Sequence, residues 1–278
     1  MIKLSVAIAG ENALPSAFVV FRGFEHSIQK ASELGFDGIE LALKSAGEIK
    51  GEQLSTWLSQ YGLEVSCIST GQVYADGGLM FTDPDPHRRE KVKGIFREII
   101  DVAADFGQLV NIGRVRGQIG NASREQAENL FAEMVASLCE YANQKSVTII
   151  LEPVNRYEID FINSVSEGVV LLQNLGIPNL KLMPDTFHMN IEDRSIGGEL
   201  EKYISYIKYI HFADSNRMAP GQGHTDFTAI FDHLKKAHYQ GWISLEILPK
   251  PDPDTAASQG ISFLKPLVEQ YNLQTQKS

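Results

Sequence analysis

Cysteine is scarce in this sequence: there are two, Cys67 and Cys139, with no Cys-x-x-Cys spacing. That argues against a disulfide scaffold, and a reducing cytoplasm is the expected compartment. No apolar stretch reaches the ~18 residues that a membrane span requires. The opening MIKLSVAIAG has the look of a signal peptide, but no A-x-A-like cleavage site follows it, so it reads as a first strand. Basic residues are also short, with 25 Lys and Arg against 35 Asp and Glu, for a net charge of −10. Such a surface repels phosphate backbones and anionic lipid, so neither nucleic acid nor a membrane is expected as partner. No GxGxxG follows the first strand and no P-loop occurs, which removes the two commonest nucleotide sites. Pro/Ser-rich linkers and low-complexity segments are absent too, so residues 1–278 read as a single domain.

What is present is a repeated pattern: a short apolar, β-branched run, then a stretch of helical periodicity. Eight runs read as strands, at 3–9, 37–43, 64–70, 109–113, 147–154, 180–185, 207–214 and 242–248. Helical spacing covers 27–35, 87–107, 124–144 and 164–176. The last of these opens on a Ser-x-x-Glu capping box, Ser164 to Glu167, and Gly35 and Gly176 act as stops. Near-continuous apolar strands are buried on both faces, as parallel strands under helices are. Eight such units in this length match an α/β fold of the (β/α)8 barrel type.

In that fold, chemistry gathers at the C-terminal ends of the strands. Four polar residues interrupt apolar runs there: Glu152 on the fifth strand, Asp185 on the sixth, His211 on the seventh and Glu246 on the eighth. They are 33, 26 and 35 residues apart, about one strand–helix unit each, so the four side chains can converge. Three carboxylates buried together without a cation would cost several kcal/mol per charge, or some would become neutral. One divalent ion removes the conflict. Three oxygens and an imidazole suit Mn²⁺, Mg²⁺, Co²⁺ or Zn²⁺, with no thiolate to favour one, and Mn²⁺ is the first expectation among them. In KLMPDTFHMN, His188 follows Asp185 by three residues, which leaves open a second ligand, a substrate contact or a capped turn.

The stretches GFDGIEL, STGQVYADGG, LEPVNRYEIDFINS, PDTFHMNIED, HFADSNRMAPGQGHTDF and GWISLEIL occur in this order across most of the chain. Through them the sequence resembles the sugar isomerase/epimerase superfamily with a xylose-isomerase-like barrel. Within it, the likeness is to ketose 3-epimerases of the D-tagatose 3-epimerase and 5-keto-L-gluconate epimerase type. The resemblance implies metal binding by Glu152, Asp185, His211 and Glu246, with Glu152 and Glu246 also serving as the acid/base pair. It further implies that His188 and Arg217 contact substrate oxygens near C2 and C3, and Glu158 the hydroxyl at C1. The expected reaction is epimerisation at C3 of a ketose or keto-sugar acid through a cis-enediolate. The expected assembly is a homodimer or homotetramer.

Other outcomes share the same machinery. A hydroxypyruvate isomerase-like aldose–ketose isomerase and an inosose dehydratase-like lyase would use the same ligands. An apurinic endonuclease of the related barrel would need more histidines and a basic surface, and a non-catalytic sugar-binding barrel would not need two acids flanking an ion. Several residues have structural readings beside functional ones. Arg156 is a pairing residue or a substrate clamp, His224 orders its loop, and Asp226 caps a helix. Tyr74 and Phe187 pack at the barrel top or face a sugar, and His26, His87, His233 and His238 belong to the surface.

Overall fold

The computed structural model describes residues 1–275, so the expected single domain of 1–278 ends three residues beyond them. Eight parallel strands form the barrel: β1 (Ile2–Ala9), β2 (Gly38–Ala42), β3 (Glu64–Ser69), β4 (Leu109–Ile112), β5 (Thr148–Leu151), β6 (Leu180–Leu182), β7 (Tyr209–Phe212) and β8 (Gly241–Leu245). A two-residue strand, Phe21–Arg22, adds onto the end of β1. Neighbours pair in the order β6, β5, β4, β3, β2, β1, β8, β7. Between β6 and β7 the circle is closed by two isolated bridges, Leu182 with Ile207 and Asp185 with His211. The eight runs expected from the sequence are these eight strands, most of them shortened at their ends, while β1 and β8 each begin one residue earlier than expected. The strand ends stop pairing where the chain turns out into the loops that carry the polar residues.

Helices cover the outside, and their boundaries follow local chemistry. Gly35, Gly62 and Gly176 each close a helix in the left-handed conformation, where a Cβ would be strained. Pro86 starts the Pro86–Asp105 helix behind its cap, Asp85. The capping box expected at Ser164 forms only by half. The Ser164 hydroxyl accepts from Glu167 N at 3.2 Å, but the Glu167 carboxylate accepts from Asn163 N, one residue early, and pairs with Arg124 at 2.9 Å. Arg124 draws that carboxylate away from the Ser164 amide. The complete reciprocal box is at Ser123 and Gln126, opening the Arg124–Asn143 helix. Both cysteines are buried and unbridged. No helix among the described residues is long and apolar enough to cross a membrane.

Alternation along the strands positions the site. Residues two apart share a face. Leu109, Ile150, Met183, Tyr209 and Trp242 pack together inside the barrel. Two residues further along the same strand paths come Asn111, Glu152, Asp185, His211 and Ser244, and then Glu246. The inner face therefore changes from apolar to polar toward the C-terminal ends.

Candidate active site

Glu152 and Glu246 are the first residues after β5 and β8, Asp185 lies three past β6, and His211 is within β7. Each offers one ligand atom, and the four atoms lie within 4.8 Å of one another. Asp185 and His211 are wholly buried, and Glu246 is the most open of the four. Asp185 Oδ1 accepts from Phe187 N at 2.8 Å and so caps the Thr186–Glu192 helix, while Asp185 Oδ2 is buried with no hydrogen-bond partner. A carboxylate oxygen stranded among three other ligating groups is a place where a divalent cation fits.

The electrostatics without a cation lead to the same conclusion. Burial, together with Glu152 and Asp185, overrides His211 and Arg217 and pushes Glu246 up to about 8. Burial, with help from Glu152, likewise pushes Asp185 up to about 6. For Glu152, burial is outweighed by the hydrogen bond and charge of His211, with His188 and Arg217, and it falls to about 2. Two of three carboxylates thus resist ionisation, as expected when like charges share a dry site.

His211 has an orientation partner that the sequence reading missed. Its Nε2 faces both oxygens of Glu40, at 2.9 and 3.1 Å, and Nδ1 faces Glu152 Oε1 at 3.4 Å. Glu40 is wholly buried in β2 and also accepts from the Tyr209 hydroxyl at 2.9 Å. Ser66 and Ser5 extend this chain, at 2.7 and 3.0 Å from the same hydroxyl. The carboxylate puts the proton of a neutral His211 on Nε2 and leaves the Nδ1 lone pair toward the cluster. Burial opposes the charge on Glu40, but the facing His211 and hydrogen bonds from it and from Tyr209 hold its carboxyl below the ordinary value. The one signal in the sequence was an acid inside the apolar run GIELAL.

His188 lies on the helix that Asp185 caps, outside the four-atom set, with Nε2 3.8 Å from both Glu152 Oε1 and Asp185 Oδ2. Asn155 fixes its tautomer. The Asn155 side-chain oxygen accepts from Tyr157 N at 3.0 Å, so the amide nitrogen is the group 2.7 Å from His188 Nδ1. Nδ1 therefore accepts, and Nε2 carries a proton toward the cluster. Burial, reinforced by Arg217, keeps His188 well below the usual imidazole value and so neutral.

Arg217 donates to Glu158 Oε1 at 2.9 Å and to Glu246 Oε2 at 2.8 Å. Its guanidinium lies between the rings of Phe18 and Phe187, 3.6 and 4.8 Å from their centroids. The residue holds φ at +60°, a conformation unfavourable for a non-glycine residue. The surrounding turn imposes it: Arg217 N donates to Asp214 O, and Asp214 N to Met218 O. The Asp214 carboxylate organises the loop by accepting from the backbone of Ser215, Gly221 and Thr225. Gly223 has no room for a Cβ against that carboxylate. This accounts for the glycines of PGQGH.

All seven residues singled out from the sequence are thus together at one end of the barrel. Glu152, Glu158, His188, Arg217 and Glu246 line a single cavity, with Asp185 and His211 alongside them in the cluster. Buried Arg116, unremarked in the sequence, donates to the backbone carbonyls of Glu152 and Phe161 and holds the loop after β5. Arg156 proves to be a pairing residue, bound to Glu192 at 2.7 Å. His224 orders its loop through Ser215, and Asp226 caps the Phe227–Lys236 helix. Phe187 packs on Arg217, and Tyr74 packs under Arg114, 5.7 Å away. Three of the other histidines are exposed, while His233 is half-buried against Glu201.

Residues 28–267 match the family described as xylose isomerase-like TIM barrel. The chain belongs to that family. It is 32% identical over 228 residues to the L-ribulose 3-epimerase of Methylomonas sp. (strain DH-1), covering 81% of this chain and 78% of that one. It is 29% identical over 237 residues to the D-psicose 3-epimerase of Ruminiclostridium cellulolyticum, covering 80% and 78%. The crystal structure of a D-allulose 3-epimerase from Methylomonas sp. in complex with D-allulose superposes with a TM-score of 0.79 at 26% identity, covering 95% and 97%.

Proposed function

We propose that the chain is an enzyme of the ketose 3-epimerase type that inverts C3 of a ketose or keto-sugar acid. The observation that carries this reading is the pair Glu152 and Glu246, brought together from different strands with carboxylate oxygens 3.4 and 3.8 Å from His211 Nδ1. The epimerase relatives support it. Glu152, Asp185, His211 and Glu246 would hold one divalent ion, with Mn²⁺ the first expectation. Once bound, that ion supplies the positive charge that stabilises a carbonyl oxygen as the adjacent C–H bond breaks.

The chain's own residues do the rest. One of Glu152 and Glu246 removes the C3 proton from one face of the sugar, and the other returns a proton to the opposite face. Their roles exchange with the configuration of the substrate. The His188 Nε2–H and the Arg217 guanidinium donate to the oxygens near C2 and C3, where negative charge develops. Glu158, steadied by Arg217, accepts the C1 hydroxyl. Phe18 and Phe187 limit the swing of Arg217 and exclude water beside it. A small-molecule sugar is thus the partner that the cavity accommodates.

The test is incubation of metal-loaded protein in heavy water with a panel of ketoses and keto-sugar acids, followed by NMR. Deuterium at C3 with inversion is expected. Label at C1 would indicate an isomerase and loss of water a dehydratase. No exchange with any substrate would reduce the chain to a sugar-binding barrel.

A further inference from the structure

The cavity wall carries two neutral side chains that the mechanism does not use, one of them beside a reacting group, with Asn111 Nδ2 3.5 Å from Glu152 Oε2. Gln72 follows β3 in the short Gly71–Gly77 helix, and Asn111 lies in β4. Both line the cavity and both are nearly inaccessible, at 3% and 2% exposure. Gln72 Nε2 donates to Ala42 O at 2.6 Å, which fixes the amide, since the reverse orientation would set two carbonyl oxygens against each other. Gln72 Oε1 is then left with no hydrogen-bond partner, and so is Asn111 Oδ1. Buried acceptors without donors are costly and rare, and two on one cavity wall call for donors supplied by a ligand.

Barrel order gives the place. Arg217 comes from the loop after β7 and Glu158 from the loop after β5, while β3 lies four positions from β7 around the circle. A substrate with C1 to C3 at Glu158, His188 and Arg217 sends its remaining carbons toward Gln72. Small residues, Ala17, Ala42, Gly71 and Ala75, leave space on that side. The two cations on the wall, Arg217 and Arg114, both pair with Glu158, at 2.9 and 3.9 Å.

The structure assigns to Gln72 a specificity role: its amide oxygen accepts a hydroxyl on the substrate carbons beyond C4 and disfavours a carboxylate there. Asn111 Oδ1 adds a second acceptor deeper in the wall. The assignment rests on the C3-epimerase reading. A site built to hydrogen-bond a hydroxyl rejects analogues that lack it, because its own polar atoms are then left unpaired.

The experiment compares wild type with Gln72→Leu and with unbranched Gln72→Met on a hexulose, a tetrulose and a hexuluronate, reading deuterium uptake at C3. Both variants should lose roughly tenfold in kcat/KM on the hexulose, chiefly through KM, as expected for one neutral hydrogen bond. On the tetrulose, whose chain ends at C4, they should match wild type. Wild type should favour the hexulose over the hexuluronate by at least about tenfold, because the carboxylate meets the Gln72 amide oxygen, which can only accept. Equal losses on hexulose and tetrulose in both variants, no loss on either, or a preference for the hexuluronate would each overturn the assignment. If no substrate exchanges at C3, the epimerase reading fails separately. Calorimetric titration of the hexulose and hexuluronate into wild type and both variants then decides Gln72 by the same pattern of affinities.

Discussion

Replacing Glu40 by glutamine tests whether a carboxylate that never meets substrate sets the strength of the metal site. In the native barrel its two oxygens take the His211 Nε2–H at 2.9 and 3.1 Å, and one also takes the Tyr209 hydroxyl at 2.9 Å. A hydrogen bond to a charged acceptor contributes about 1.5–3 kcal/mol, and a neutral one about 0.5–1.5 kcal/mol. In Glu40→Gln the side-chain amide keeps one acceptor oxygen for His211, and the Tyr209 hydroxyl can rotate to accept from the new NH₂ group. The net loss is then about 1 kcal/mol through the His211 bond, with a further part from the lower basicity of Nδ1. Together these predict a metal dissociation constant raised about tenfold, within the roughly 10–100-fold range typical of residues behind a metal ligand. Isothermal titration of Mn²⁺ into chelator-treated protein measures it, with circular dichroism confirming the fold. An unchanged dissociation constant in a folded variant would refute the argument that Glu40 acts through His211.

Four further outcomes are expected. Metal binding should release protons and tighten as pH rises from 6 to 8, because the carboxyl of Glu246 is held up to about 8 and Glu40 and Glu246 hold His211 protonated despite its burial. Calorimetry in buffers of different ionisation enthalpy counts those protons, and a pH-independent affinity would contradict it. By the same shifts, metal-free protein should lose thermal stability over that window, since the raised Glu246 and His211 both bind more protons folded than unfolded. Added Mn²⁺ should restore the melting temperature more at pH 8 than at pH 6. Glu246→Gln should abolish deuterium uptake at C3 while Mn²⁺ still binds, more weakly, and wild-type exchange would remove Glu246 from the mechanism. Arg217→Lys should lower kcat/KM about 100-fold, because a single ammonium cannot reach both Glu158 and Glu246 from beside the Phe18 and Phe187 rings as the forked guanidinium does.

The barrel and its four central residues were legible because they obey local rules repeated eight times. An apolar run ending in an acid or an imidazole, recurring at one-unit intervals, carries its own geometry. Asp185 and His188 show where spacing alone was ambiguous: three residues apart, they fit two ligands equally well. The strand ends before Asp185 and the helix begins just after it, so the two side chains occupy different levels. Glu40 was hidden for a different reason. Its partner His211 is 171 residues away, and an acid in a buried strand has no meaning until the opposite strand is placed. Gln72 lies in the seven-residue Gly71–Gly77 helix and Arg116 in a three-residue 3-10 turn, both too short to show a periodicity, and their roles depend on carbonyl oxygens that sequence does not display.

The seam between β6 and β7 has a consequence for how the molecule becomes competent. Two isolated bridges join these strands, and one of the two is Asp185 with His211. Completing the circle and bringing two of the four ligating groups side by side are therefore one event. A chain with seven joints made and this one open would hold Glu152 and Asp185 on one side of the gap and His211 and Glu246 on the other, and could not enclose the ion. Loading with metal would thus mark a finished barrel, and any widening of that joint would silence the enzyme before the rest of the structure gave way.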